Sequence, residues 1–167
     1  MKTKLSLGIK GKLLLITGEG ELRAKSCFAL KKVLCSFLEN SQKTINIFLD
    51  LQECLYMDST FIGFIIDLAI QTNKNQNTVN IINPSKECNR ELERFSCFEM
   101  INVIHSYKLP DITTFDIDID KYIGENIENL ETIFISHKTL CDLSNENYRQ
   151  FSSLLNELKA TLRIYHG

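Results

Sequence analysis

The sequence is short of several things, and each shortage closes a class of function. It has little excess of either charge sign: 19 lysines and arginines against 21 acids give a net charge of -2. The lysines are scattered and leave no basic field to attract a phosphate backbone, so nucleic acid is not expected as a partner. No apolar run approaches the roughly 20 residues that span a bilayer. The N-terminal stretch MKTKLSLGIKGKLLLITG is interrupted by Gly8, Lys10, Gly11 and Lys12 and is expected to be neither a signal peptide nor a membrane span. No C-x-x-C pair or zinc-like Cys/His spacing occurs among Cys27, Cys35, Cys54, Cys88, Cys97 and Cys141. Reduced, structural cysteines in a cytoplasmic protein are therefore expected, with no cofactor or metal. His105, His137 and His166 are far apart in sequence and suggest no catalytic or metal role. No phosphate-cradling G-x-x-x-x-G-K loop and no set of nucleophile, base and acid is present, so an enzyme is not expected.

What is present is ordinary globular usage, 44% hydrophobic and 24% charged, without an internal repeat. At 167 residues the chain is long enough for one full core with an appendage. Leu5–Ile9 and Leu13–Thr17 flank Lys10-Gly11-Lys12 as two strands of a hairpin. Ser26 reads as the N-cap of an amphipathic helix through Leu38. Ile45–Leu51 is a buried strand, a short loop follows, and a second helix runs from Ser59 to about Thr72. Thr78–Ile82 is a strand, Asn83-Pro84-Ser85 opens a helix to about Phe95, and Ile101–Ile104 is a last short strand. This alternation predicts an α/β (α+β) fold, a mixed sheet with helices packed on it.

After Tyr107 the pattern changes. Pro110–Asp120 contains D-I-D-I-D, a linker or an edge strand. Ile123–Leu140 has helical spacing at Ile127, Leu130, Ile133, Phe134 and Leu140, and Ser144 opens a final helix carrying Tyr148, Phe151, Leu154, Leu155, Leu158 and Leu162 on one face. The chain thus divides into a domain at 1–106 and a C-terminal helical extension at 107–167. Such an αα-hairpin is too small to stand alone. It is expected to pack on the main domain or to pair with another chain, as a homodimer through the C-terminal helices.

The segment with functional content is LDLQECLYMDSTFIGFIIDLAI, Leu49–Ile70. By itself, Asp58-Ser59-Thr60 ahead of an apolar helix is a capping sequence, satisfying orphan backbone N–H groups. The segment also resembles the phosphorylation loop of STAS-domain anti-sigma-factor antagonists, approximately M-D-S-[ST]-G-[LI]-G after a buried D-L strand, matched by Met57, Asp58, Ser59, Thr60, Ile62 and Gly63. Gly20-Glu21-Leu22 with Ser26, Leu30 and Leu34 is similar to the family's G-E-L-D segment and first helix. Val79–Pro84 with Leu92, Phe95 and Phe98 resembles its fourth strand and next helix. The resemblance covers about residues 4–106.

That resemblance implies a STAS-like mixed sheet with helices on one side. It implies a transcription regulator that sequesters an anti-sigma factor that is also a serine kinase. The kinase phosphorylates Ser59 and thereby releases the antagonist, and a PP2C-type phosphatase restores it. The chain departs from the pattern at Phe61, where the family has glycine, and at Arg23, where it has aspartate, both near the surface used to dock the kinase. Asp58, Thr60, Phe61, Phe64, Leu68, Glu21 and Arg23 are the partner-binding candidates. Phe61, Phe64 and Leu68 form a stripe beside the core face Ile62, Ile65, Ile66 and Ala69. Either the stripe packs beneath the C-terminal hairpin, with Leu140, Phe151 and Leu155 as covering residues, or it is an exposed docking patch. The competing function is a STAS scaffold or subunit of a transporter or sensory complex, with Ser59 acting only as a helix cap.

Overall fold

Two strands, β1 (Lys4–Lys10) and β2 (Leu13–Leu22), are joined where Gly11 takes a positive φ of 63°, a conformation that costs glycine nothing. Their register runs from Lys10 opposite Leu13 to Lys4 opposite Glu19. The computed structural model describes residues 2–38, 44–74, 78–124 and 126–166. Helix α1 (Ala24–Leu38) follows, then β3 (Asn46–Asp50), β4 (Cys54–Met57), α2 (Ser59–Asn73), β5 (Thr78–Ile82), α3 (Lys86–Arg94), β6 (Asn102–Ile104), β7 (Thr114–Asp116), α4 (Ile127–Leu143) and α5 (Asn145–His166).

The sheet has seven strands in the order β6-β5-β3-β2-β1-β7, with β4 paired to β2 off that path. The β2–β3, β3–β5 and β5–β6 pairs are parallel, whereas β1 runs antiparallel to both neighbours. On the central strands Ile47, Leu49, Val79 and Ile81 share one face in register, and all four are buried.

On the edge away from β1, strand β2 serves two partners in turn. Leu13–Thr17 pairs with β3, and beyond an irregularity between Gly20 and Glu21, where Gly20 has φ 73°, the strand pairs with β4 instead. This switch places Glu21-Leu22-Arg23 beside Tyr56-Met57-Asp58, so two segments distant in sequence meet at one end of the sheet.

Several expectations need correction. The loop expected between β3 and α2 contains β4. Helix α1 begins at Ala24, and Ser26 lies inside its first turn, its Oγ accepting from Arg23 N–H at 3.4 Å. Pro110–Asp120, expected as a linker or an edge strand, does supply an edge strand, β7, paired with β1 through Ser6–Gly8.

Residues 107–167 do not form a separate core. Ile117, Ile119, Leu140, Cys141 and Phe151 belong to the same buried cluster as Leu14, Ile47 and Ile65. Helix α4 lies along α2 and α5 folds back on α4, so the extension packs on the main domain. Ser144 caps α5, its Oγ accepting from Asn147 N–H at 3.1 Å. The Asn147 amide donates to the carbonyls of Leu140 (2.9 Å) and Phe95 (3.0 Å), tying the hairpin turn to the end of α3.

Candidate functional site

The D-S-T segment sits at the junction of β4 and α2. Asp58 is the N-cap of α2, extended at φ -81° and ψ 167°, and its Oδ1 accepts from Phe61 N–H at 2.8 Å. Its Oδ2 accepts from Ala24 N–H at 3.0 Å, and its own N–H donates to Leu22 O at 3.0 Å. One carboxylate therefore joins the starts of α1 and α2, and this explains why α1 begins two residues before Ser26.

Ser59 is the first residue of α2 and is half-buried, whereas Thr60 is buried. Ser59 Oγ lies 3.0 Å from His137 Nε2 on α4. The other ring nitrogen, Nδ1, is 2.9 Å from the carbonyl of Ile133. A carbonyl only accepts, so Nδ1 carries the proton, and in the neutral ring Nε2 is left to accept from the Ser59 hydroxyl. The ring is 3% exposed and meets Phe151 edge-on, centroids 5.0 Å apart. Burial holds its pKa below the ordinary 6.5, outweighing the upward pull of the Ile133 carbonyl and the Asp58 charge. The imidazole is consequently held neutral, the form in which Nε2 accepts from the Ser59 hydroxyl.

One turn further on, the backbones of α2 and α4 lie against each other. A β-carbon on Gly63 would stand 2.7 Å from the Ser136 carbonyl carbon and 3.0 Å from its Cα. At that distance no side chain fits, so the motif glycine is where the backbone of α4 lies against α2. The buried side of α4 carries the small polar residues Asn129, Thr132, Ser136 and Thr139 beside His137, Leu140 and Cys141. Thr132 and Ser136 satisfy themselves within the helix, donating to the carbonyls of Glu128 and Thr132, each at 2.8 Å. The expected apolar stripe at Ile127, Leu130, Ile133 and Phe134 is half-buried instead.

The other candidates divide into two groups. Glu21 and Arg23 are exposed and paired, with Arg23 Nη2 2.9 Å from Glu21 Oε2 and its guanidinium 4.8 Å from the centroid of the Tyr56 ring. They stand beside Asp58 on the exposed rim. Phe61 is fully buried, Phe64 is 8% exposed, and Leu68 is half-buried against the core. The exposed docking patch proposed for this stripe is therefore corrected: at 100° per residue these positions lie away from the Ser59–Gly63 face and enter the hydrophobic core. Leu140 and Phe151 join the same core, with Leu155 packed against it.

His137 is the participant that sequence reading missed. A lone histidine inside a helix, 78 residues from the motif, carries no local signal. Among the described residues no group of three or more His, Cys, Asp or Glu side chains is disposed to hold a metal, and no helix is long and apolar enough to cross a membrane.

The family pattern of the STAS domain matches residues 7–109, more than half of the chain. The chain belongs to the STAS-domain family. Its fold resembles the unphosphorylated form of the anti-sigma factor antagonist SpoIIAA, with a TM-score of 0.56 at 13% identity over 62% of this chain and 89% of that one. It also resembles a Thermotoga maritima protein described as a candidate anti-sigma factor antagonist, with a TM-score of 0.52 at 17% identity over 59% and 83% of the two chains. At these identities the likeness concerns the STAS fold. No curated protein sequence matches the chain at a significant level.

Proposed function

We propose that this STAS protein is an anti-sigma-factor antagonist, a protein-binding transcription regulator and not an enzyme, switched off by phosphorylation of Ser59. The observation that carries this reading is the position of Ser59. It is the first residue of α2, directly after the Asp58 cap, and of the two motif hydroxyls it is the one not sealed in the core. A phosphate there adds about -1.5 to -2 charges at the positive end of a helix, which tolerates an anion. The same charge beside Asp58, in a contact surface shared with Glu21 and Arg23, disfavours a bound partner through desolvation and repulsion. A serine–histidine contact is also the geometry of an activated nucleophile. With the ring 3% exposed beneath α2 and Phe151, a substrate has no approach to the base, which favours regulation over catalysis.

In this reading the partners are a serine kinase that is also an anti-sigma factor and a PP2C-type phosphatase, and the protein acts in the cytoplasm. The Ser59–His137 bond favours the competing scaffold reading, in which Ser59 only joins α2 to α4. One experiment separates them: intact mass and site mapping of wild type and Ser59→Ala after incubation with ATP and serine kinases from the same genome, with a pull-down of each form. A single phosphate on wild type, absent from Ser59→Ala and accompanied by loss of kinase binding, is expected. No phosphorylation by any such kinase, with binding indifferent to Ser59→Asp, leaves the scaffold.

A further inference from the structure

We infer that helix α4 is an intramolecular latch over Ser59, which must come away from α2 before Ser59 is phosphorylated and which the phosphate then holds off. The inference rests on Ser59 being the modified residue. It concerns the 127–166 hairpin, which lies outside the matched STAS region at 7–109.

Three observations carry it. First, the acceptor oxygen is occupied: Ser59 Oγ is 3.0 Å from His137 Nε2, a direct contact with no space for a phosphoryl group between them. Transfer would form the Ser59 Oγ–P bond as the bond from the γ-phosphorus to the bridging oxygen of ATP breaks, releasing ADP and a proton to solvent. The resulting ester oxygen has no proton to donate. His137 Nε2 would then be a buried acceptor without its donor, a state that costs free energy. In the unmodified protein burial favours the neutral ring, so pairing with the phosphate would first require the imidazole to take up a proton.

Second, the contact between α2 and α4 is built to part without stranding polar groups. Thr132 and Ser136 keep their hydrogen bonds inside α4, and Gly63 meets Ser136 through backbone alone. Lys31 reaches Thr132 and Lys32 reaches Glu128 between α1 and α4, the latter an exposed pair of the kind that contributes little. Third, the hairpin has an anchor elsewhere. Asn147 bonds Phe95 O at the end of α3, so α4 can leave Ser59 while its turn stays attached.

The test is hydrogen–deuterium exchange on the full chain, which needs no kinase. Ser59→Asp supplies a charge at Ser59 and removes the hydroxyl; exchange over 127–143 is expected to rise about tenfold while β3 and β5 stay protected. Ser59→Ala, which removes only the bond, should raise it less. If Ser59→Asp leaves 127–143 within about twofold of wild type, or slows it by drawing in a protonated His137, the latch is overturned. Should that variant unfold β3 and β5 as well, His137→Ala decides: about threefold faster exchange in 127–143 supports the latch, and no change rejects it. Failure of every kinase with the exchange response intact would count against Ser59 as the modified residue. An absent response overturns the latch whatever the kinases do.

Discussion

Asp58 and Ala24 are 34 residues apart in the chain, yet the carboxylate of one accepts the backbone N–H of the other at 3.0 Å, while its second oxygen caps α2 through Phe61. The rim residues Glu21 and Arg23 are thereby coupled to the motif serine through a single side chain. Asp58→Ala removes both caps, and at about 1 kcal/mol for each the expected loss is roughly 2 kcal/mol. Asp58→Asn keeps one acceptor oxygen and should lose about half as much. Urea unfolding followed by circular dichroism measures both, with an unchanged m-value expected.

Gly63 is the second test. A methyl group there collides with the backbone of Ser136, which cannot move aside as a side chain tip would. Gly63→Ala should cost about 2–3 kcal/mol, lowering the melting temperature by roughly 5–10 °C for a chain of this size. A melting point within a degree of wild type would mean that α4 does not lie against α2 in solution.

The third concerns pH. His137 is held below the ordinary 6.5 by burial, so the unfolded chain binds its proton more tightly than the folded one. Stability from this group is therefore fully present above about pH 6.5, and falls as pH drops from there toward the lowered folded value. Replacing the ring by His137→Gln should flatten that part of the stability–pH curve. Chemical denaturation between pH 5 and 8 reads the difference, and a curve equally steep in both proteins would remove His137 as its source.

The fourth uses the thiols. Cys35 is exposed, and the other five are buried. Burial pushes Cys27 well up and Cys97 up to about 12, so neither provides thiolate at neutral pH. Native protein mixed with a thiol-exchange reagent should show one fast-reacting group, lost in Cys35→Ser, and all six after denaturation. Two or more fast thiols in the native state would mean that the core opens more readily than its packing implies.

These tests also mark where sequence alone sufficed. Gly11 in its turn, Ser85 ahead of α3 and Ser144 ahead of α5 act through neighbours within a few residues, so each was legible locally. The alternation of strands and helices was legible for the same reason. Strand β4 was not, because four residues with only Cys54 and Met57 buried look like a loop until β2 supplies the pairing. The start of α1 was misplaced because a decisive acceptor, Asp58, comes from the next helix. The stripe Phe61, Phe64 and Leu68 shows the right periodicity, but periodicity does not say that a second apolar face beside Ile62, Ile65, Ile66 and Ala69 is also covered. His137 was invisible for a further reason: its role depends on a helix packing that spans 78 residues.

The outermost strands of the sheet, β6 and β7, have three residues each. On the β7 side, the seven-residue strand β1 is covered through Ser6–Gly8, with the chain so close over Gly8 that a β-carbon would lie 2.8 Å from the Thr113 carbonyl oxygen. The new border, Thr114-Phe115-Asp116, is exposed and continues into Asp118 and Asp120. A second molecule trying to extend this sheet would meet a short ladder and repeated negative charge in place of a long apolar strand. The acidic stretch that resembles a linker in the sequence thus also guards the protein against templating its own aggregation.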